Sequence, residues 1–222
     1  MASDDDYRHE QSGPERQARE MRSSPRLTIL IRSAKLICGS GEYLCIVRDV
    51  SETGVRLRLF HPMPPERHVS LELATGDTFA VEKIWESDDQ AGFRFTNPIE
   101  LQHFISEAGP YPKRPVRLSL EFPAIITTDG GPSVAMVRNI SRQGARIETT
   151  RLLALGQTVK VNAEGLPELY ATVCWRSVPS YGLVLQQVFT FEELAMLADR
   201  LQSAGQFPGF TPGDAGGRIR RG

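Results

Sequence analysis

The sequence predicts a mainly β protein: two tandem six-stranded antiparallel barrels, each ending in an α-helix. Three observations carry this. First, the stretch from Gly41 recurs from Gly131 in a gapless register. It pairs Val47-Arg48-Asp49-Val50-Ser51 with Val137-Arg138-Asn139-Ile140-Ser141, Gly54 with Gly144, Arg56 with Arg146, Trp85 with Trp175 and Gly92 with Gly182, each pair 90 residues apart. A period this long exceeds one solenoid unit, so each copy reads as a module with its own core. Second, each copy contains six short apolar runs separated by turn residues, and a small closed barrel is the arrangement that removes exposed sheet edges. Third, each copy closes on a helix signal.

In the first copy, Leu27 to Ile37 is apolar and β-branched, and Gly39-Ser40-Gly41 turns it into a second run, Glu42 to Val50, as a hairpin. Gly54 then separates that run from Val55-Arg56-Leu57-Arg58-Leu59, whose alternation of apolar and basic side chains marks a half-exposed strand. Val69 to Leu73, Phe79 to Trp85 and Gly92 to Phe95 complete the six. The second copy repeats the plan with Leu118 to Thr127, Ser133 to Ile140, Ala145 to Glu148, Thr158 to Val161, Leu169 to Trp175 and Gly182 to Gln186. Asn97-Pro98 offers an N-cap and a first-turn proline for a helix with Ile99, Leu101, Phe104 and Ile105 on its apolar face. Thr190-Phe191-Glu192-Glu193 has capping-box spacing, followed by Leu194, Leu197, Ala198 and Leu201. Trp85 and Trp175 are expected in the cores, with a base-stacking role as the lesser alternative.

These elements divide the chain into a tail over residues 1–19, one domain over 20–108, a second over 109–203 and a tail over 204–222. The first tail is charged and polar and the last is rich in Gly and Pro, so neither can bury enough surface to offset ordering entropy. The basic end Arg218-Ile219-Arg220-Arg221 reads as solvated. Gly109-Pro110-Tyr111-Pro112 forms a short, stiff connector.

With 222 residues, 40% hydrophobic and 24% charged, the chain is long enough for two such cores. A net charge of −1 argues against a protein that tracks nucleic acid polymers or coats anionic lipid. No signal-type start and no apolar run near ~20 residues is present, so a cytoplasmic protein without membrane insertion is expected. Cys38, Cys45 and Cys174 lack metal-ligand spacing and read as buried reduced thiols, although Cys38 and Cys45 could face each other across the first hairpin. His61, His68 and His103 have no partners at ligand or triad spacing. Neither an enzyme nor a resident cofactor is expected.

A basic arm precedes the first strand of each copy: Arg22-Ser23-Ser24-Pro25-Arg26 in one, Lys113-Arg114-Pro115-Val116-Arg117 in the other. About twenty residues later come Asp49-Val50-Ser51-Glu52-Thr53-Gly54 and Asn139-Ile140-Ser141-Arg142-Gln143-Gly144. Taken singly, an Asp-x-Ser-x-x-Gly segment is a good turn and a basic arm a solvated linker. Together, repeated, and at the head of a six-strand pattern, they resemble the PilZ family of cyclic di-GMP receptors. The resemblance implies a six-stranded barrel with a terminal helix, and a ligand set of Arg22, Arg26, Asp49, Ser51 and Gly54 in the first copy.

The chemistry suits such a ligand. Arginine forks grip phosphate bidentately or read the O6/N7 edge of guanine. An aspartate offers two acceptors to the N1 and N2 donors, and a serine hydroxyl adds a bond. The glycine is expected to supply a positive φ and a close approach. Arg48 and Arg56 could supplement the set or lie on a solvated strand face.

The second copy is the weaker candidate, with Lys113, Arg114, Arg117, Asn139, Ser141 and Gly144. Lys113 is a point charge where a planar fork is wanted, and Asn139 replaces the acid. Arg114, one position along, could substitute. The implied function is a receptor that converts cyclic di-GMP binding into arm and interdomain movement acting on an unidentified protein effector. The alternative is a ligand-independent interaction module docking through the Val55–Leu59 strand.

Overall fold

In the computed structural model, which describes residues 27–106 and 115–205, β-strands dominate and two helices close the elements. The first barrel comprises β1 (Leu27–Cys38), β2 (Gly41–Val50), β3 (Gly54–Leu59), β4 (His68–Leu73), β5 (Thr78–Ser87) and β6 (Gln90–Phe95). They pair in the order β1-β2-β3-β6-β5-β4, closed by β4 on β1. The alternation in β3 behaves as expected: Val55, Leu57 and Leu59 enter the core while Arg56 and Arg58 face out. Because β3 is paired on both sides, by β2 and by β6, it offers no free edge for docking.

The second barrel comprises β7 (Arg117–Leu118), β8 (Phe122–Thr128), β9 (Gly131–Ser141), β10 (Gly144–Glu148), β11 (Thr158–Asn162), β12 (Leu169–Ser177) and β13 (Ser180–Leu185). Its closed ring is β8-β9-β10-β13-β12-β11, and β7 adds to β9. Together β7 and β8 stand where β1 stands in the first barrel. Leu27 pairs with Val50 and Leu118 with Ile140, and each strand then shifts register, at Thr28/Arg32 in β1 and between β7 and β8 in the second barrel. The single strand expected from Leu118 is divided between β7 and β8. In the gap, the backbone N–H of Ser119 donates to the Glu42 carboxylate of the first barrel at 2.8 Å.

Helix α1 spans only Leu101–Ile105, and Asn97 does not cap it. The segment before it is committed elsewhere, since the Ile99 N–H donates to the Glu52 carbonyl at 2.9 Å and so ties the chain to the Ser51–Gly54 turn. Phe104 anchors the helix to its own barrel, in ring contact with Phe79 and Phe95. Helix α2 (Phe191–Gly205) does have the expected capping box: Thr190 N–H to Glu193 Oε2 at 2.8 Å and Glu193 N–H to Thr190 Oγ1 at 3.1 Å.

The apolar face of α2 (Leu194, Ala195, Leu197, Ala198) completes the second core, and that core takes in Leu44 from β2 of the first barrel. Phe60 and Phe191 meet at 5.6 Å. Gln202 of α2 grips the tip of the first hairpin, accepting from Glu42 N–H at 2.7 Å and donating to the Glu42 carbonyl at 3.0 Å. The hairpin also reaches the start of the second barrel: Lys35, only 6% exposed, binds Glu42 Oε2 at 2.9 Å and the Arg117 carbonyl at 3.1 Å. Gln202→Ala is expected to cost about 1–2 kcal/mol through the two lost backbone bonds, measured by urea unfolding. The cost should vanish when Leu44→Asp has already parted the barrels.

Candidate functional site

Each Asx-x-Ser-x-x-Gly segment forms the tight link between its second and third strands. In the first barrel Ser51 N–H donates to the Gly54 carbonyl at 2.7 Å, and Gly54 N–H donates to Ser51 Oγ at 3.1 Å. Ser141 Oγ donates to the Gly144 carbonyl at 3.2 Å. Both serines are buried. The glycines differ from expectation, because neither Gly54 nor Gly144 has a positive φ. Cross-strand crowding demands glycine instead: a Cβ would lie 2.9 Å from the Phe93 carbonyl oxygen at Gly54 and 2.5 Å from that of Leu183 at Gly144.

Register assembles the rest. In an antiparallel ladder, directly paired residues share a face. Asp49 pairs with Arg56, Arg56 with Gly92 and Gly92 with Trp85, a single row across four strands on the outer surface, and β1 pairs with Asp49 at Thr28. Asp49 is buried at 8% exposure and forms an ion pair with Arg56. In the second barrel the row is Asn139, Arg146, Gly182 and Trp175. Asn139 Oδ1 there accepts from Arg117 Nη1 at 3.0 Å, joining the arm to the turn's strand. The Nε of Arg56 and that of Arg146 are buried without a hydrogen-bond partner.

The structure thus brings Asp49, Ser51 and Gly54 together, and likewise Arg117, Asn139, Ser141 and Gly144. Arg22, Arg26, Lys113 and Arg114 lie outside the described residues, as does the Gly109–Pro112 connector. Arg48 is exposed and makes no ion pair among the described residues, and Arg56 belongs to the row.

Both tryptophans depart from the expected core placement. Trp85 is 44% and Trp175 40% exposed. Each indole lies over the facing glycine, so that a Cβ on Gly92 or Gly182 would fall within about 2 Å of its Nε1. The repeated Trp-to-Gly spacing was the available signal: a glycine opposite a tryptophan leaves room for the ring on the sheet.

Among the described residues no group of His, Cys, Asp and Glu could hold a metal, and no helix is long and apolar enough to cross a membrane. Cys45 is buried, and burial pushes the half-buried Cys38 thiol up to about 12. The two do not face each other, because Ala34 pairs with Cys45 and Cys38 with Gly41. Cys174 is exposed rather than buried, since it alternates with the inward-facing Ala171 and Val173.

The PilZ domain family model matches residues 20–106 and again 113–200. No curated protein sequence matches the chain. Similar solved structures include PlzA of Borreliella burgdorferi in complex with c-di-GMP, at 11% identity over 83% of this chain and 98% of that chain, TM-score 0.33. Bacillus subtilis MotI/DgrA, described as an inhibitor of motility, gives 12% identity over 81% and 100%, TM-score 0.33. YcgR from Escherichia coli in complex with c-di-GMP gives 11% over 78% and 88%, TM-score 0.29. Superpositions at this level add a likeness and no argument, whereas the family match spans most of the sequence and falls once on each barrel. The chain belongs to the PilZ domain family and carries two copies of the domain.

Proposed function

We propose that the first barrel binds cyclic di-GMP on the outer row of Asp49, Arg56 and Trp85, with Arg22 and Arg26 closing over the ligand. The observation that carries this reading is the row itself, which sets a carboxylate, a guanidinium and an open aromatic face side by side where the arm enters β1. Asp49 accepts from the N1 and N2 donors of a guanine, and the arm's forks take its O6/N7 edge or a phosphate. The indole of Trp85 gives a base a stacking surface. Ser51 and Gly54 shape the turn. Leu27 is paired with Val50, so Arg26 is attached one residue from that position, and Arg22 lies within about 17 Å of extended chain.

The second barrel is the weaker partner through Lys113 and Asn139. Its arm is coupled to the first barrel by the Lys35 and Glu42 bonds to Arg117 and Ser119. Ligand binding fixes the arms, and those bonds pass the change to the interdomain contact and onward to a protein effector. The protein acts as a receptor without chemistry of its own.

One observation favours a ligand-independent interaction module: Asp49 and Ser51 already have partners within the protein. Thermal melting separates the two. Cyclic di-GMP at a hundred times its dissociation constant stabilises by ~2.7 kcal/mol, a shift of roughly 5–10 °C for a protein of this size. An unchanged melt would leave the interaction module as the function.

A further inference from the structure

We propose that Glu148 closes the second barrel's site to phosphate-bearing ligands, so that the two PilZ copies are unequal by an internal charge as well as by their arms. The proposal rests on the reading of the outer row as a nucleotide site. Glu148 stands two residues beyond Arg146 on β10 and therefore on the same face. It takes up the donors such a ligand needs. Arg138 gives it Nε at 2.8 Å and Nη2 at 2.7 Å, while Nη1 of the same guanidinium goes to Glu121 at 2.9 Å. Arg146 Nη2 reaches Glu148 Oε1 at 3.1 Å and Ser180 Oγ at 3.1 Å, and Ser180 in turn donates to Glu148 at 3.2 Å.

The repeat makes the contrast specific. At the equivalent positions the first barrel has Arg48, Arg56 and Arg58, so an arginine stands where the second barrel has Glu148. The ladder neighbours agree: Arg58 pairs with Gln90 as Glu148 pairs with Ser180. Arg58 donates to Asp89 at 2.8 Å and lies over the Phe60 ring, and Arg48 is exposed, with no ion pair among the described residues. In the first barrel Arg56 is held by Asp49, itself a member of the proposed ligand set, and Arg58 by Asp89, whereas in the second Arg138 and Arg146 are both engaged by one carboxylate and Arg117 holds Asn139. A phosphate arriving there meets a fixed negative charge and must displace it to gain a fork.

The test uses the full chain with Asp49→Ala to silence the first site, compared with Glu148→Gln and Glu148→Arg in that background. Folding is checked by far-UV circular dichroism, and Glu148→Arg reproduces a residue the first barrel already accommodates. Titration with cyclic di-GMP is expected to show at least tenfold tighter binding in both Glu148 variants, and Arg146→Ala to abolish the gain. If the wild type binds through Asp49 but neither Glu148 variant opens a second site, the blocking role of Glu148 is wrong and the receptor reading stands. If no variant binds cyclic di-GMP, the receptor reading fails, and inorganic pyrophosphate decides the role of Glu148 separately. Affinity at least tenfold higher in Glu148→Gln and lost with Arg146→Ala upholds it, and equal affinity overturns it.

Discussion

Asp49→Asn is expected to weaken cyclic di-GMP binding by about tenfold to a hundredfold in isothermal titration, with the barrel intact. The substitution keeps the side-chain shape and exchanges one acceptor oxygen for a donor, so a guanine that offered two N–H groups to a carboxylate meets one acceptor and one clash of donors. A lost bidentate base contact is worth ~1–3 kcal/mol, which sets that range. The fold should tolerate the change, because the second barrel carries Asn139 at the matching place in the same ladder. The ion pair to Arg56 is also lost, but the Arg56 side chain is 43% exposed and can return to water, so the stability cost should stay below about 1 kcal/mol. Arg26→Ala should weaken binding by a similar factor from the other side of the ligand. Equal titration curves for wild type and both variants would remove the site from this face of the barrel.

The fold was legible because two kinds of signal coincide. Polarity alternates in strands such as Val55–Leu59, and the repeat fixes which turns are equivalent, so both barrels could be laid out strand by strand. The capping box at Thr190 was readable from four residues because its bonds are local. Asn97 misled for the opposite reason: the next segment's N–H is claimed by Glu52, a partner 47 positions away that no local pattern announces. The same holds for β7 and β8, where Glu42 of the other barrel supplies the partner in the gap between them.

In the site, residue type gave Asp49, Ser51 and Gly54 their places, while Arg56, Trp85 and Glu148 depend on register. A one-residue bulge decides which face a side chain takes, and β2–β3 and β5–β6 each carry one. Trp85 looked like core material by composition. Only its pairing with Gly92 shows that the sheet's outer surface has a slot for the ring.

Gly144→Ala should be the most destabilising of the turn-glycine substitutions, at about 2–4 kcal/mol and roughly 5–15 °C in thermal melts. The turn itself does not explain this, since Gly144 lacks the positive φ that would exclude alanine. The obstacle is the Leu183 carbonyl, 2.5 Å from the new methyl, in a strand held by β10 on one side and β12 on the other. Backbone in that position cannot swing aside as a flexible side chain would. Relief requires parting β10 from β13, which surrenders ladder hydrogen bonds worth about 1 kcal/mol each and disturbs Leu183 in the core. Gly54→Ala meets the Phe93 carbonyl at 2.9 Å and should cost less. Gly156→Ala meets nothing within 4 Å but must hold φ at +77°, a strain of about 1 kcal/mol. Cross-strand crowding therefore orders the three as Gly144, Gly54, Gly156, whereas control by turn conformation would put Gly156 first. Melting the three single variants in parallel distinguishes the orders, and a larger loss for Gly156→Ala than for Gly144→Ala would show that the carbonyl contact is relieved without unzipping the strands.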